Sequence, residues 1–239
     1  VMKFIHTLII STILITPELS SNDLNNNEEC NSSDVSTEER AFTKTFSGIF
    51  NGKKINYVAS LKEKILYEKD NPDEPMASFF YTEYIAQTNE NRPVIFSFNG
   101  GPGSASLWLH MGVLGPKVIK VPSDASDDGA PPYNIVDNNL SPLSDADLVF
   151  IDPIGTGYSR AIGCHEGEEF WGVNEDPKII AEFIRRWISD NNRWNSPRYI
   201  LGESYGGIRG PLLVSELRSG DLTPIELSLI HISEPTRPS

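Results

Sequence analysis

Five consecutive residues, Gly202-Glu203-Ser204-Tyr205-Gly206, constrain this chain more than any other feature. The G-x-S-x-G spacing fits a sharp strand-to-helix elbow that lifts a serine hydroxyl clear of the backbone. The flanks supply both halves of that turn. Residues 198–201 (Arg-Tyr-Ile-Leu) form a short apolar run suited to a buried strand. Over 206–218, Ile208, Leu212, Leu213 and Leu217 can share one apolar face of a helix. Small neighbours are needed because the serine backbone is strained. The pentapeptide alone is too common to decide anything, so its meaning depends on a partner elsewhere.

With 239 residues, the chain is long enough for one large domain with its own core. Its 33 acidic residues outnumber 20 basic ones, for a net charge of -13. Such a surface repels phosphate backbones, which excludes nucleic acid as a partner. The two cysteines, Cys30 and Cys164, leave two readings open. They form one disulfide in an oxidising compartment, or they are thiols without partners in this chain. No zinc-type cysteine spacing occurs and the four histidines are scattered, so no metal or cofactor is expected.

Residues 1–20 read as a secretory signal: Met2-Lys3, an apolar run over 4–15, then a break at Thr16-Pro17. That run is short for a bilayer, so no stable membrane partner is expected after cleavage near Ser20. Glu18 meets the small-residue cleavage rule poorly, which leaves an uncleaved anchor as the lesser reading. Val1 ahead of Met2 suggests a frame opened upstream of the true start. The expected destination is secreted, lysosomal or vacuolar.

Residues 21–41, rich in Asn, Ser, Glu and Asp, read as a disordered linker. Sequons stand at Asn31-Ser32-Ser33 and Asn139-Leu140-Ser141. A partial α/β domain is expected over 42–226. Residues 43–50 and 53–60 around Asn51-Gly52 read as a β-hairpin. Strands are expected over 76–85, 94–98, 117–121 and 147–151. A short helix over 107–114 is closed by Gly115-Pro116, and an acidic loop occupies 123–139. The clearest helix has Asp176 as its cap and Pro177 at its first position. Its inner face is Ile179, Ile180, Phe183, Ile184, Trp187 and Ile188. Strands alternating with helices predict a mostly parallel sheet with helices on both faces.

Acyl transfer through serine needs donors for the negative charge that builds on the carbonyl oxygen. In α/β-hydrolases one donor is the N–H after the nucleophile, here Tyr205. The other comes from a glycine-rich loop after an earlier strand. Asn99-Gly100-Gly101-Pro102-Gly103 follows such a strand. The alternatives are a plain tight turn or a phosphate-binding loop. No Gly-Lys-Ser/Thr and no G-x-G-x-x-G spacing is present, which removes nucleotide binding. Elbow and loop together favour a hydrolase.

These blocks closely resemble the serine carboxypeptidases, secreted or lysosomal α/β-hydrolases that remove C-terminal residues. The resemblance is carried by Asn99-Gly100-Gly101-Pro102-Gly103-Ser104 and by the elbow. Asp152-Pro153-x-Gly155-x-Gly157-Tyr158-Ser159, Trp171-Gly172-Val173-Asn174-Glu175-Asp176, Phe80-Tyr81-Thr82 and Pro211 add to it, and it runs over roughly 42–217. It implies the N-terminal part of an α/β-hydrolase fold acting on peptides, with Ser204 as nucleophile. Gly101 and Tyr205 would donate N–H groups to the oxyanion. Asn99, Gly100 and Glu203 would hold the substrate's terminal carboxylate. A carboxyl facing a carboxylate binds it when the two share a proton, so tighter peptide binding at acidic pH is expected. A homodimer is left open.

There are departures from the family pattern. Many members carry a glutamate two residues before the Gly-Pro; here Val113 stands there and cannot share a proton. That puts the usual carboxylate pair, and with it C-terminal specificity, in question. The triad order in this fold is Ser, Asp/Glu, His. After Ser204 only Asp221 and His231 are of those types, in a stretch too short for further strands. His6 lies in the signal, and His110 and His165 precede the serine. The chain is therefore expected to be a fragment without its acid and base, nearly inert alone. Residues 227–239 resemble translated sequencing-adapter read-through and are expected to be a non-native tail. Two other functions stay open: an acyltransferase or esterase on the same scaffold, and a non-catalytic binding or protective protein.

Overall fold

Asn51 and Gly52 take φ of 48° and 77°, the left-handed pair that a two-residue hairpin with natural strand twist demands. In this computed structural model, which describes residues 35–88, 91–120, 131–219 and 228–232, they join β1 (Ala41–Phe50) to β2 (Lys53–Tyr67). The antiparallel register runs from Phe50 opposite Lys53 to Ala41 opposite Lys62. β2 pairs antiparallel with the aromatic-rich β3 (Pro75–Ala86). The remaining strands are β4 (Val94–Phe98), β5 (Lys117–Ile119), β6 (Ile135–Asp137), β7 (Asp147–Ile151), β8 (Arg160–Ala161), β9 (Arg198–Glu203) and β10 (Ser228–Ile232).

The main sheet runs β1-β2-β3-β7-β4-β9-β10, with β8 against β3. From β7 through β10 the pairings are parallel, while β1, β2 and β3 form an antiparallel wing. Every residue of β4 and β7 is buried, as expected of parallel strands covered on both faces. Helices α1 (Glu175–Asp190) and α2 (Gly206–Ser219) cover one face. The six apolar positions expected on α1 are all buried there, with Phe183 against Phe79 and Tyr81, and Trp187 edge-on to Phe96. The other face is covered by the short helical turn Leu109–Leu114, whose leucines pack with Phe50, Tyr57, Phe150 and Leu201.

Three local expectations come out differently, and one further stretch takes regular backbone structure. The strand expected over 117–121 leaves the main sheet as β5 and pairs with β6, inside the stretch read as a loop. Both are short β-branched runs that satisfy each other's backbone groups. Asp176 does not cap α1. The helix starts at Glu175 after Asn174, without a side-chain cap, because the Asp176 carboxylate is taken by Arg209. The inner face of α2 is rotated from the expected one: Ile208 is 55% exposed, while Arg209, Leu213 and Leu217 are buried. Residues 228–232, set apart in the sequence as a tail, have the backbone of an edge strand, with Ser228 opposite Tyr199 and Ile232 opposite Glu203. An open edge offers unpaired N–H and C=O groups, and this apolar stretch has the propensity to take them.

Cys164 is disulfide-bonded. Cys30, the expected leader over 1–20, the polar stretch to residue 34, residues 121–130 of the acidic loop, and Asp221 lie outside the described residues. Among the described residues no helix is long and apolar enough to cross a membrane.

Candidate active site

β9 ends at Glu203 and α2 begins at Gly206, so the direction of the chain reverses across two residues. Ser204 takes φ 55° to make that turn, a left-handed conformation that costs an L-residue about 1–2 kcal/mol. A β-carbon on Gly202 would lie 2.4 Å from the Gly206 carbonyl oxygen, so strand and helix approach this closely only because position 202 has none. The turn is locked from behind, with Gly207 N–H donating to Ser204 O at 2.8 Å and Ile208 N–H to Tyr205 O at 2.9 Å. The Ser204 side is exposed to solvent.

The glycine-rich loop leaves β4 at Phe98 and runs directly against this elbow. A β-carbon on Gly100 would stand 2.5 Å from Tyr205 N, 2.6 Å from Glu203 O and 3.0 Å from Ser204 Cβ. Those neighbours are mostly backbone and cannot swing away. The glycine loop is thus packed through Gly100, which precedes Gly101, against the backbone of Tyr205. Among the described residues, neither the Gly101 nor the Tyr205 N–H donates to a protein acceptor. Backbone N–H groups without a protein acceptor, near an exposed serine hydroxyl, are the kind of donor that stabilisation of an oxyanion uses.

Asn99 is buried and held at its side chain from two sides. Its Oδ1 accepts from Leu109 N–H at 3.1 Å, and its Nδ2 donates to Glu203 Oε2 at 3.1 Å. The structure therefore brings Asn99, Gly100, Gly101, Glu203, Ser204 and Tyr205 together. Arg209, which sequence reasoning passed over, belongs with them. It is 2% exposed, donates through Nη1 to Asn99 O at 2.8 Å and through Nε to Asp176 Oδ2 at 2.6 Å. Its guanidinium lies 5.2 Å from the Phe98 ring centroid and 5.3 Å from that of Tyr205. A signal existed in the sequence: helical spacing from Gly206 and Leu213 turns position 209 inward.

Burial pushes the Asp176 carboxyl up, against the pull of the Arg209 guanidinium. Burial also raises Asp152, partly offset by the Ser106 N–H that it accepts at 2.8 Å. A cavity of about 300 Å³ lies beside the loop, bounded by Pro102, Gly103, Ile154, Trp171, Asp176 and Arg209.

The two histidines within the described domain are engaged elsewhere. His110 Nε2 meets the Tyr84 hydroxyl at 2.6 Å, its ring stacks on Phe150 at 4.7 Å, and burial pulls its pKa down to about 4. His165 sits between Glu68 at 3.2 Å and Glu169 at 2.8 Å. His231 contributes backbone to β10, opposite Gly202. Among the described residues no hydrogen bond joins a histidine or carboxylate to the Ser204 hydroxyl. Val113, in the helical turn after the loop, is 54% exposed.

A family model described as serine carboxypeptidase matches residues 59–235. Serine carboxypeptidase-like 9 of Arabidopsis thaliana is 29% identical over 154 residues, covering 62% of this chain and 33% of that protein. Serine carboxypeptidase-like 5 of the same plant is 28% identical over 153 residues, with the same coverage. The chain thus spans about a third of the length of the curated relatives it matches. Among solved structures, Kex1Δp, a prohormone-processing carboxypeptidase from Saccharomyces cerevisiae, matches with a TM-score of 0.52 and 20% identity, over 72% of this chain and 38% of that one. At that identity the likeness speaks to the fold: part of an α/β-hydrolase, with its parallel strands and the elbow at their carboxyl ends.

Proposed function

The chain belongs to the serine carboxypeptidase family, and we propose that the whole protein is a serine-type carboxypeptidase releasing C-terminal residues from peptides through an acyl-enzyme. The observation that supports this reading is the close contact of Gly100, the residue before Gly101, with the backbone of Glu203 and Tyr205 and with Ser204 Cβ. Ser204 Oγ attacks the scissile carbonyl, and its oxygen takes up charge facing those two N–H groups. The C–N bond then breaks as the base hands the proton it took from Ser204 to the nitrogen, and the C-terminal residue leaves as its amine. Its carboxylate is held by Asn99, Gly100 and Glu203. Water cleaves the remaining ester and frees Ser204.

Taking the proton from Ser204 requires a base, and none bonds it among the described residues. In this proposal the acid and base come from outside them. Residues 21–226 alone should then turn over substrate on the order of a million-fold more slowly than the whole protein. Robust hydrolysis by that purified segment would overturn the assignment. A destination in the secretory route goes with the same reading, supported by the disulfide at Cys164.

The reading is tested on the intact protein with a fluorophosphonate, which should modify Ser204 and leave a Ser204→Ala variant unlabelled. Modification at another residue would sink it. With blocked dipeptides, KM should rise from pH 5 to 8, because two facing carboxylates bind best while sharing a proton. A flat KM would remove Glu203 from carboxylate binding. A second reading, acyl transfer to an alcohol, is favoured by Val113, an exposed apolar side chain where many members hold a carboxyl. Faster transfer from an activated ester than hydrolysis of a blocked dipeptide would select it.

A further inference from the structure

We propose that Arg209 is a positioning residue for the substrate's terminal carboxylate, acting through Asn99. The inference rests on the carboxypeptidase reading above. The side chain of Asn99 is oriented by Leu109 N–H and by Glu203, but neither contact sets the plane of the peptide group between Asn99 and Gly100. Arg209 does. Its Nη1 donates to the Asn99 carbonyl oxygen at 2.8 Å. Because a peptide unit is planar and trans, fixing that oxygen fixes the opposite direction of the Gly100 N–H. That N–H, the Asn99 amide and Glu203 are the groups assigned to the carboxylate.

Arg209 can hold this geometry because it is itself anchored by Asp176 and by two aromatic rings. Nε is tied to Asp176 Oδ2 at 2.6 Å, at the start of α1. The guanidinium also lies over the rings of Phe98 and Tyr205, 5.2 and 5.3 Å from their centroids. One residue thus joins the first turns of α1 and α2, the exit of β4 and the residue after the nucleophile. The charge of Arg209 is balanced by Asp176, so the pair orients a backbone without adding net charge to the site. The planar fork matters: a lysine would keep the charge opposite Asp176 but has one nitrogen, which cannot hold both partners in these directions.

The test compares benzyloxycarbonyl-Phe-Leu with its C-terminal amide as substrates of the intact protein. Arg209→Lys should raise KM for the free acid about tenfold, leave kcat for the acid near its original value, and leave KM for the amide unchanged. The preference for acid over amide should therefore collapse. A folded variant that keeps that preference, or that loses acid and amide equally, would overturn the inference, since a merely structural role moves both. The double variant Asp176→Asn with Arg209→Gln leaves no buried charge unpaired and is measured if the single one melts early. Failure of both to fold would assign Arg209 to stability alone and end the proposal. An original protein without any preference for the free acid would instead sink the carboxypeptidase reading, and this inference with it.

Discussion

β7, β4 and β9 have two ends built on opposite plans. At their amino ends Asp147 accepts from Arg92 Nε at 3.1 Å, Arg193 Nη1 at 2.8 Å and Ala86 N–H at 2.9 Å. Arg92 Nη2 donates to the Leu143 carbonyl, while Arg193 donates through Nη2 to the Arg92 carbonyl and through Nε to Ser196 Oγ. Buried charge there is spent entirely on closing the fold. At the carboxyl ends of the same strands the backbone is bent to φ 55° at Ser204, and the amides of Gly101 and Tyr205 stay uncommitted. The amino ends hold the sheet together and the carboxyl ends keep polar groups for something that arrives. Parallel strands place all their carboxyl ends on one edge, so the division follows from the topology.

Ser204→Ala tests that division most strongly. It should lower kcat of the intact protein about a million-fold while leaving its melting midpoint in place. The opposite experiment, Asp147→Ala, strands the buried Arg92 guanidinium and the partly buried one of Arg193 and should cost about 3 kcal/mol in urea unfolding. Its surviving folded fraction should still label with a fluorophosphonate. Loss of labelling in that folded fraction would break the comparison.

Acid sharpens it further. His110 stands in the turn whose Leu109 N–H holds Asn99, and its pKa is about 4 in the folded chain against an ordinary 6.5. As pH falls the unfolded chain takes up this proton first. The stability contributed by neutral His110 is therefore complete above pH 6.5 and is lost between there and pH 4, about 3 kcal/mol in all. Urea midpoints across that window should show the slope, and His110→Gln should flatten it. The smallest effect is at the elbow itself. Ser204→Gly should gain about 1 kcal/mol by relieving the left-handed strain, a rise in melting midpoint bought with all turnover.

The candidate site was readable because its parts are local. A turn that tolerates only glycine at Gly100 and Gly202 is written in adjacent letters, and so is the serine between strand and helix. The hairpin at Asn51-Gly52 and the inner face of α1 were readable for the same reason. Asp176 shows where local rules stop. By position it is a good helix cap, yet in the fold it faces Arg209, and a charge pair in a buried setting outweighs one capping bond. β10 shows the same limit from the other side, since a short apolar stretch acquires a strand's backbone only because β9 presents an edge.

From its sequence alone, then, the protein's α/β class and the glycine-serine turns of the candidate site were determined, because both rest on backbone conformations that only certain residues adopt. Which charged side chain lies under those turns, how α2 is rotated and where β5 goes were decided by the tertiary structure. Those choices depend on which groups are buried opposite one another, and burial is a property of the assembled chain that no short stretch contains.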